Sequence, residues 1–209
     1  MWQHRYTSSL PRRVPLVVLA FGVVVLGAWG FSSRLWWPGS ARAAAPQTKT
    51  FSPFTLTSPD FADGGPLPFS SEFNQFCHGQ NIAPTLNWIN VPSGTASFAL
   101  EVTDYDAPIA GGFHHWIVYN IPSGVRTLNG NPALYSQGTN SFGTVGYGGP
   151  CPPPNGQLHH YIFTLYALTI PPSISGQALT YDGLISAISG HVAGATVIIG
   201  TFTRTSPSQ

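Results

Sequence analysis

Two histidine pairs and one acidic turn hold most of the chemistry that this 209-residue chain can offer. His114 and His115 stand at the entrance of an apolar, strand-forming run, GGFHHWIVYNIP (Gly111 to Pro122). His159 and His160 open a second run, YIFTLYAL (Tyr161 to Leu168), directly after a loop rich in proline and glycine. The turn DYDAP (Asp104 to Pro108) closes a third, ASFALEVTD (Ala96 to Asp104). Imidazoles and carboxylates at strand ends sit on rigid elements, as a binding or catalytic site requires. Imidazole N–H and tyrosyl O–H groups donate hydrogen bonds, while carboxylates accept them, fix imidazole tautomers and favour the protonated ring. Three strand ends carrying Asp, His and His point to one shared pocket. The same Asp/His set is suited to general acid–base work.

The elements that would position these groups are mostly strands. Runs at 54–57, 85–89, 96–104, 114–121, 161–168 and 195–203 are rich in β-branched and aromatic residues and bounded by Gly, Pro, Asn or Ser. The intervening loops at 58–84 and 122–158 are long for a compact domain, and such loops are usually functional. One segment reads as helix: Tyr181 to Val192 places Leu184, Ile185, Ile188 and Val192 on one face, with Thr180 as N-cap. With 23 glycines and 20 prolines in the chain, many turns and little helix are expected. The predicted fold is mainly β, an antiparallel β-sandwich with few short helices, preceded by an N-terminal hydrophobic helix.

Three ordered segments, DYDAP, HHWIVYNIP and GYGGPCPPPNGQLHHYIFTLYAL (Gly146 to Leu168), resemble the signatures of the phosphatidylethanolamine-binding proteins. The similarity is greatest to the bacterial and archaeal Raf kinase inhibitor-like branch, and it runs from about Phe54 to about Phe202. One position departs: the family usually has Asp-Pro-Asp-Ala-Pro, and here Tyr105 replaces the first proline. The resemblance implies the same β fold. It also implies a ligand pocket made of Asp104, Asp106, His115, Gly148, Gly149, Pro153, Pro154, His159 and Tyr161. On that reading the backbone N–H groups of the glycine loop join the imidazoles and the hydroxyl as donors. His114 and His160 would point to the opposite face from their neighbours, because adjacent strand residues alternate.

Cys77 and Cys151 fall in loops where similar exported relatives carry cysteines. They are either a disulfide, fitting an oxidising compartment, or two free buried thiols. Val14 to Phe31 is an uncharged run of 18 residues behind Arg12-Arg13, at the lower limit for a membrane span. Small-residue cleavage sites at 41–43 and 43–45 fit a signal peptide, whereas Trp36-Trp37 suits an uncleaved anchor. We therefore expect an N-terminal signal or anchor over 1–31, a linker over 32–50 and the binding domain over 51–209. An extracytoplasmic location follows, secreted or membrane-anchored.

Charge excludes one class. From Pro46 onward seven acids face three bases, so the folded part is acidic and lacks the basic patch of a nucleic-acid binder. No cofactor is called for. A metal site would have to be assembled from distant segments, since no His-x-His or Cys-x-x-Cys pattern occurs. A nucleophilic enzyme lacks Gly-x-Ser-x-Gly. Three functions stay open: a binding module for a small anionic or phosphorylated ligand, a hydrolase or isomerase using the same Asp/His pocket, and a regulator of an extracytoplasmic protein partner.

Overall fold

The computed structural model describes residues 52–129 and 132–205. The expected N-terminal helix and the 32–50 linker lie outside the described residues. In chain order the strands are β1 (Thr55–Thr57), β2 (Gly65–Pro66), β3 (Leu86–Ile89), β4 (Ser97–Asp104), β5 (Phe113–Pro122), β6 (Thr127–Leu128), β7 (Ser136–Gln137), β8 (Leu158–Leu168) and β9 (Val192–Thr203). Two α-helices accompany them: α1 (Asn74–Cys77) follows β2, and α2 (Tyr181–Ile188) precedes β9. The long loops expected at 58–84 and 122–158 thus carry short elements of their own.

Strands β1, β3 and β6 form a small antiparallel sheet, and the rest form a six-stranded sheet of order β2-β9-β8-β4-β5-β7. The larger sheet is mixed, because Gly65–Pro66 pairs parallel to Gly200–Thr201 of β9. This corrects the expectation of a wholly antiparallel sandwich. A two-residue edge strand has no hydrophobic period to announce its presence or direction.

Every residue of β4 is buried. On one face Leu100 and Val102 join Trp116 and Val118 of β5 and Phe163 and Leu165 of β8, packing with Leu56, Leu86, Trp88 and Leu128 of the small sheet. On the other, Ala99, Ile117, Tyr119 and Leu168 pack against Leu184 and Ile188 of α2. A strand covered on both faces needs apolar residues at odd and even positions, which explains the run from Phe98 to Leu100. Strand β8 alternates instead: His159, Tyr161, Phe163 and Leu165 are buried between more exposed neighbours.

Between β4 and β5 the register slips at the position that matters. Val102 pairs with Trp116 and Thr103 with His114, leaving His115 as the extra residue of a β-bulge. Trp116 and Val118 face the small sheet and Ile117 faces α2, so simple alternation would aim His115 toward α2. The bulge turns it to the other side, the usual effect of such an insertion on a side chain.

Helix α2 starts as its sequence requires, with Thr180 Oγ1 accepting from the Gly183 N–H at 3.3 Å. It stops at Ile188, four residues before the expected end. Gly190 adopts a positive φ of 78°, the chain reverses, and Val192 opens β9.

Candidate functional site

At the end of the large sheet, β4, β5 and β8 bring Asp104, His115, His159 and Tyr161 around one cavity of about 130 Å³. Register explains the convergence. Asp104 pairs with Tyr161 on one side and with Phe113 on the other, so residues two positions along β8 and at the β5 bulge share its neighbourhood. The remaining walls are largely apolar, including Ile109, Phe113, Phe142, Pro152 and Pro153.

The polar groups are tightly arranged. Asp104 Oδ1 accepts from the backbone N–H groups of Asp106 (2.9 Å) and Ala107 (3.2 Å), while Oδ2 accepts from His159 Nδ1 at 2.7 Å. His115 Nδ1 donates to the Gly148 carbonyl at 2.6 Å. A carbonyl and a carboxylate only accept, so both imidazoles carry their proton on Nδ1, leaving Nε2 bare in the neutral ring. His115 is also packed against the Phe113 and Tyr161 rings, at 4.8 and 5.0 Å between centroids. Burial in that setting pushes its pKa down to about 4, against the opposing pull of the Gly148 carbonyl and the Asp104 charge.

Tyr161 is 1% exposed, and its hydroxyl lies within hydrogen-bonding reach of the Asp104 carboxylate. Burial, and next the Asp104 charge, raise its pKa, so it remains a neutral donor. Arg126 and Arg204 are the only lysine or arginine residues among those described, and neither lines the cavity.

Five of the nine site residues expected from sequence border the cavity: Asp104, His115, Pro153, His159 and Tyr161. The other four do not. Asp106 is exposed, with Oδ2 accepting from both the backbone N–H and Nδ1 of His160 at 2.8 Å. The hydrogen bond from His160 chiefly holds its pKa below the ordinary value. Pro154 is exposed beyond the wall. Gly148 and Gly149 build the wall from behind, and their N–H groups are already committed, to the His115 carbonyl and to Asn81 Oδ1, both at 2.8 Å. The expectation that they donate to a ligand is thereby corrected: Gly148 contributes its carbonyl to His115 instead. Gly149 is required by proximity, since a Cβ there would lie 1.9 Å from the Ser71 carbonyl oxygen.

Cys77 and Cys151 form a disulfide with Cα atoms 5.7 Å apart, and Cys151 lines the cavity. Arg204 Nη1 braces this wall by donating to Cys77 Sγ at 2.9 Å and to the Pro152 carbonyl at 3.1 Å. Sequence reasoning missed Phe113, Phe142 and Ile109 as walls and Arg204 as a brace. Phe113 sits beside the histidine pair and was within reach; Phe142 and Arg204 carry no local signal. Among the described residues no three His, Cys, Asp or Glu side chains gather closely enough to hold a metal ion.

"Putative lipoprotein LppC" of Mycobacterium tuberculosis is 39% identical over 210 residues, covering 94% of this chain and 98% of its own length. The UPF0098 protein YbcL of Escherichia coli is 42% identical over 139 residues, 62% of this chain and 72% of its own length. The crystal structure of E. coli YbcL superposes with a TM-score of 0.68 at 34% identity, covering 72% of this chain and 98% of that one. A homologue from Chlamydia trachomatis, CT736, gives 0.64 at 35% identity, covering 71% and 96%. The family model described as phosphatidylethanolamine-binding protein matches residues 57–203. The matched range holds the three strands that carry the cavity, β4, β5 and β8, and the chain belongs to the phosphatidylethanolamine-binding protein family.

Proposed function

We propose that this chain is an extracytoplasmic binding protein that takes a small anion or phosphorylated head group into the Asp104/His115/His159/Tyr161 cavity, with uptake of a proton. The observation that carries this reading is the convergence of the buried Tyr161 hydroxyl with two imidazoles whose Nδ1 atoms are already engaged, around one cavity. In their neutral forms the imidazoles present bare Nε2 atoms, which repel an anion. Protonation of one ring converts Nε2 to a donor and supplies the positive charge that the walls lack.

Placement outside the cytoplasm is supported by the apolar Val14–Phe31 segment, by the disulfide, and by the lipoprotein name carried by LppC. The anchor proposed is the apolar segment itself, since both cysteines of the chain are bridged. Any regulatory role toward a protein would then be confined to extracytoplasmic partners.

Calorimetry with sulfate, whose charge is constant between pH 5 and 8, tests the proposal. Affinity should rise at least about tenfold from pH 7.5 to 5.5, because the complex binds one more proton than the free protein. His159→Ala should abolish the heat. Equal affinity at the two pH values, or unchanged binding in His159→Ala, overturns this reading. The Asp-backed imidazole with a bare Nε2 favours a second one, general-base hydrolysis or isomerisation of a small substrate. Turnover of a phosphoester or carboxylic ester that disappears in Asp104→Asn would place it first.

A further inference from the structure

The disulfide in the cavity wall joins two sulfurs with unlike surroundings. Cys77, the last residue of α1, is 3% exposed. Cys151 is only half-buried and borders the cavity, which Cys77 does not. A reagent that enters from solvent therefore meets Cys151 first.

The positive charge lies on the buried side. Arg204 Nη1 stands 2.9 Å from Cys77 Sγ and 3.8 Å from Cys151 Sγ, and it donates to the Pro152 carbonyl at 3.1 Å. No carboxylate forms an ion pair with Arg204 among the described residues. Glu72 is buried within range of the Arg204 and His78 charges, yet burial raises its pKa more than those charges lower it. The guanidinium thus has two sulfurs and a carbonyl as partners, where an anion would suit it better. A bridged sulfur is only a weak acceptor, whereas a thiolate carries a full charge that a neighbouring arginine stabilises.

We propose that Cys151 is a site of reversible thiolation by small thiols that enter the cavity. The incoming thiol loses its proton to solvent, and its thiolate attacks Cys151 Sγ. A new S–S bond forms there as the Cys77–Cys151 bond breaks, and the electron pair leaves on Cys77 Sγ as a thiolate held by Arg204. No oxidant or reductant is consumed, because one disulfide is exchanged for another. Return attack by Cys77 expels the thiol and restores the bridge. Leaving thiols of lower pKa depart faster, so the guanidinium favours departure of Cys77 over Cys151. A cavity of about 130 Å³ restricts the reaction to small thiols. The cavity serves here only as a passage to sulfur, so this step stands or falls independently of the function proposed above.

Full-length protein in detergent is mixed with 2-mercaptoethanol, quenched with acid at intervals and mapped by mass spectrometry. The first adduct should sit on Cys151, with Cys77 recovered as the free thiol and at least about tenfold less adduct on Cys77. Glutathione, too bulky for the cavity, should react at least about tenfold more slowly at equal thiolate concentration. In the reduced protein, Arg204→Gln should raise the Cys77 thiol pKa by about one unit, read from the pH profile of its alkylation, and Arg204→Lys should keep it low. The adduct map needs no variant, so loss of folding in either Arg204 variant leaves it decisive. An adduct mainly on Cys77 or evenly shared, no adduct, equal rates with glutathione, or an unchanged profile in folded Arg204→Gln overturns the proposal.

Discussion

His114 and His115 are covalent neighbours in unlike surroundings. His115 is sealed among Phe113, Phe142 and Tyr161, with Nδ1 tied to a main-chain carbonyl. His114 is half-buried on the helix side, with Nδ1 tied through a threonine to a buried carboxylate. Burial lowers the pKa of both, but only for His115 is the fall large, to about 4. One face of the sheet thus ends in an aromatic-walled cavity closed by a disulfide, and the other in an open polar pocket at the start of a helix. The difference shows that the extra residue of the β5 bulge at His115, not the sequence alternation, decides which imidazole meets which environment.

If the comparison is sound, damage to one face should leave the other recognisable. The largest effect is expected from Cys77→Ser with Cys151→Ser. Opening a cross-link that spans 74 positions should cost about 4 kcal/mol on the chain-entropy account. A lower denaturant midpoint measures it, with imidazole resonances of His115 and His159 displaced and those of His114 retained. Next in size is the acid sensitivity of the cavity face. His115 ionises at about 4 when folded and near its ordinary 6.5 when unfolded, so the unfolded chain binds the extra proton between these values. Its contribution is intact above pH 6.5 and is lost as pH falls toward 4, amounting to about 3 kcal/mol. Stability measured by urea across that window should slope steeply, and His115→Phe should flatten it. The smallest effect belongs to the helix face: Thr180→Ala removes the cap of α2 and should cost about 1 kcal/mol. Thermal unfolding followed by circular dichroism reads it, with sulfate binding unchanged.

Much of this was legible in the residues. The long strands β4, β5 and β8 announce themselves through β-branched and aromatic runs, and the three signature segments single out Asp104, His115, His159 and Tyr161. The bulge was not legible, because alternation is the only rule a strand sequence offers and a bulge breaks it without a residue-type marker. Nor were β2, β6 and β7, each two residues long and held by pairing to longer strands rather than by their own pattern. The helix was placed four residues too long because Val192 fits its apolar face, although Gly190 ends it first. The glycine loop was misread for a related reason: sequence reveals how many N–H groups a segment has, but not which are already taken.

The contact at Gly149 bears on how ligand size is controlled. Where main chain rests on main chain, as between Gly149 and Ser71, the enclosure has no side chain to rotate or exchange. That backing of the wall is dimensioned by peptide units and stays fixed under substitution elsewhere. Selectivity among guests of different bulk must therefore be adjusted across the opening, where Ile109, Phe113 and Phe142 supply replaceable hydrocarbon.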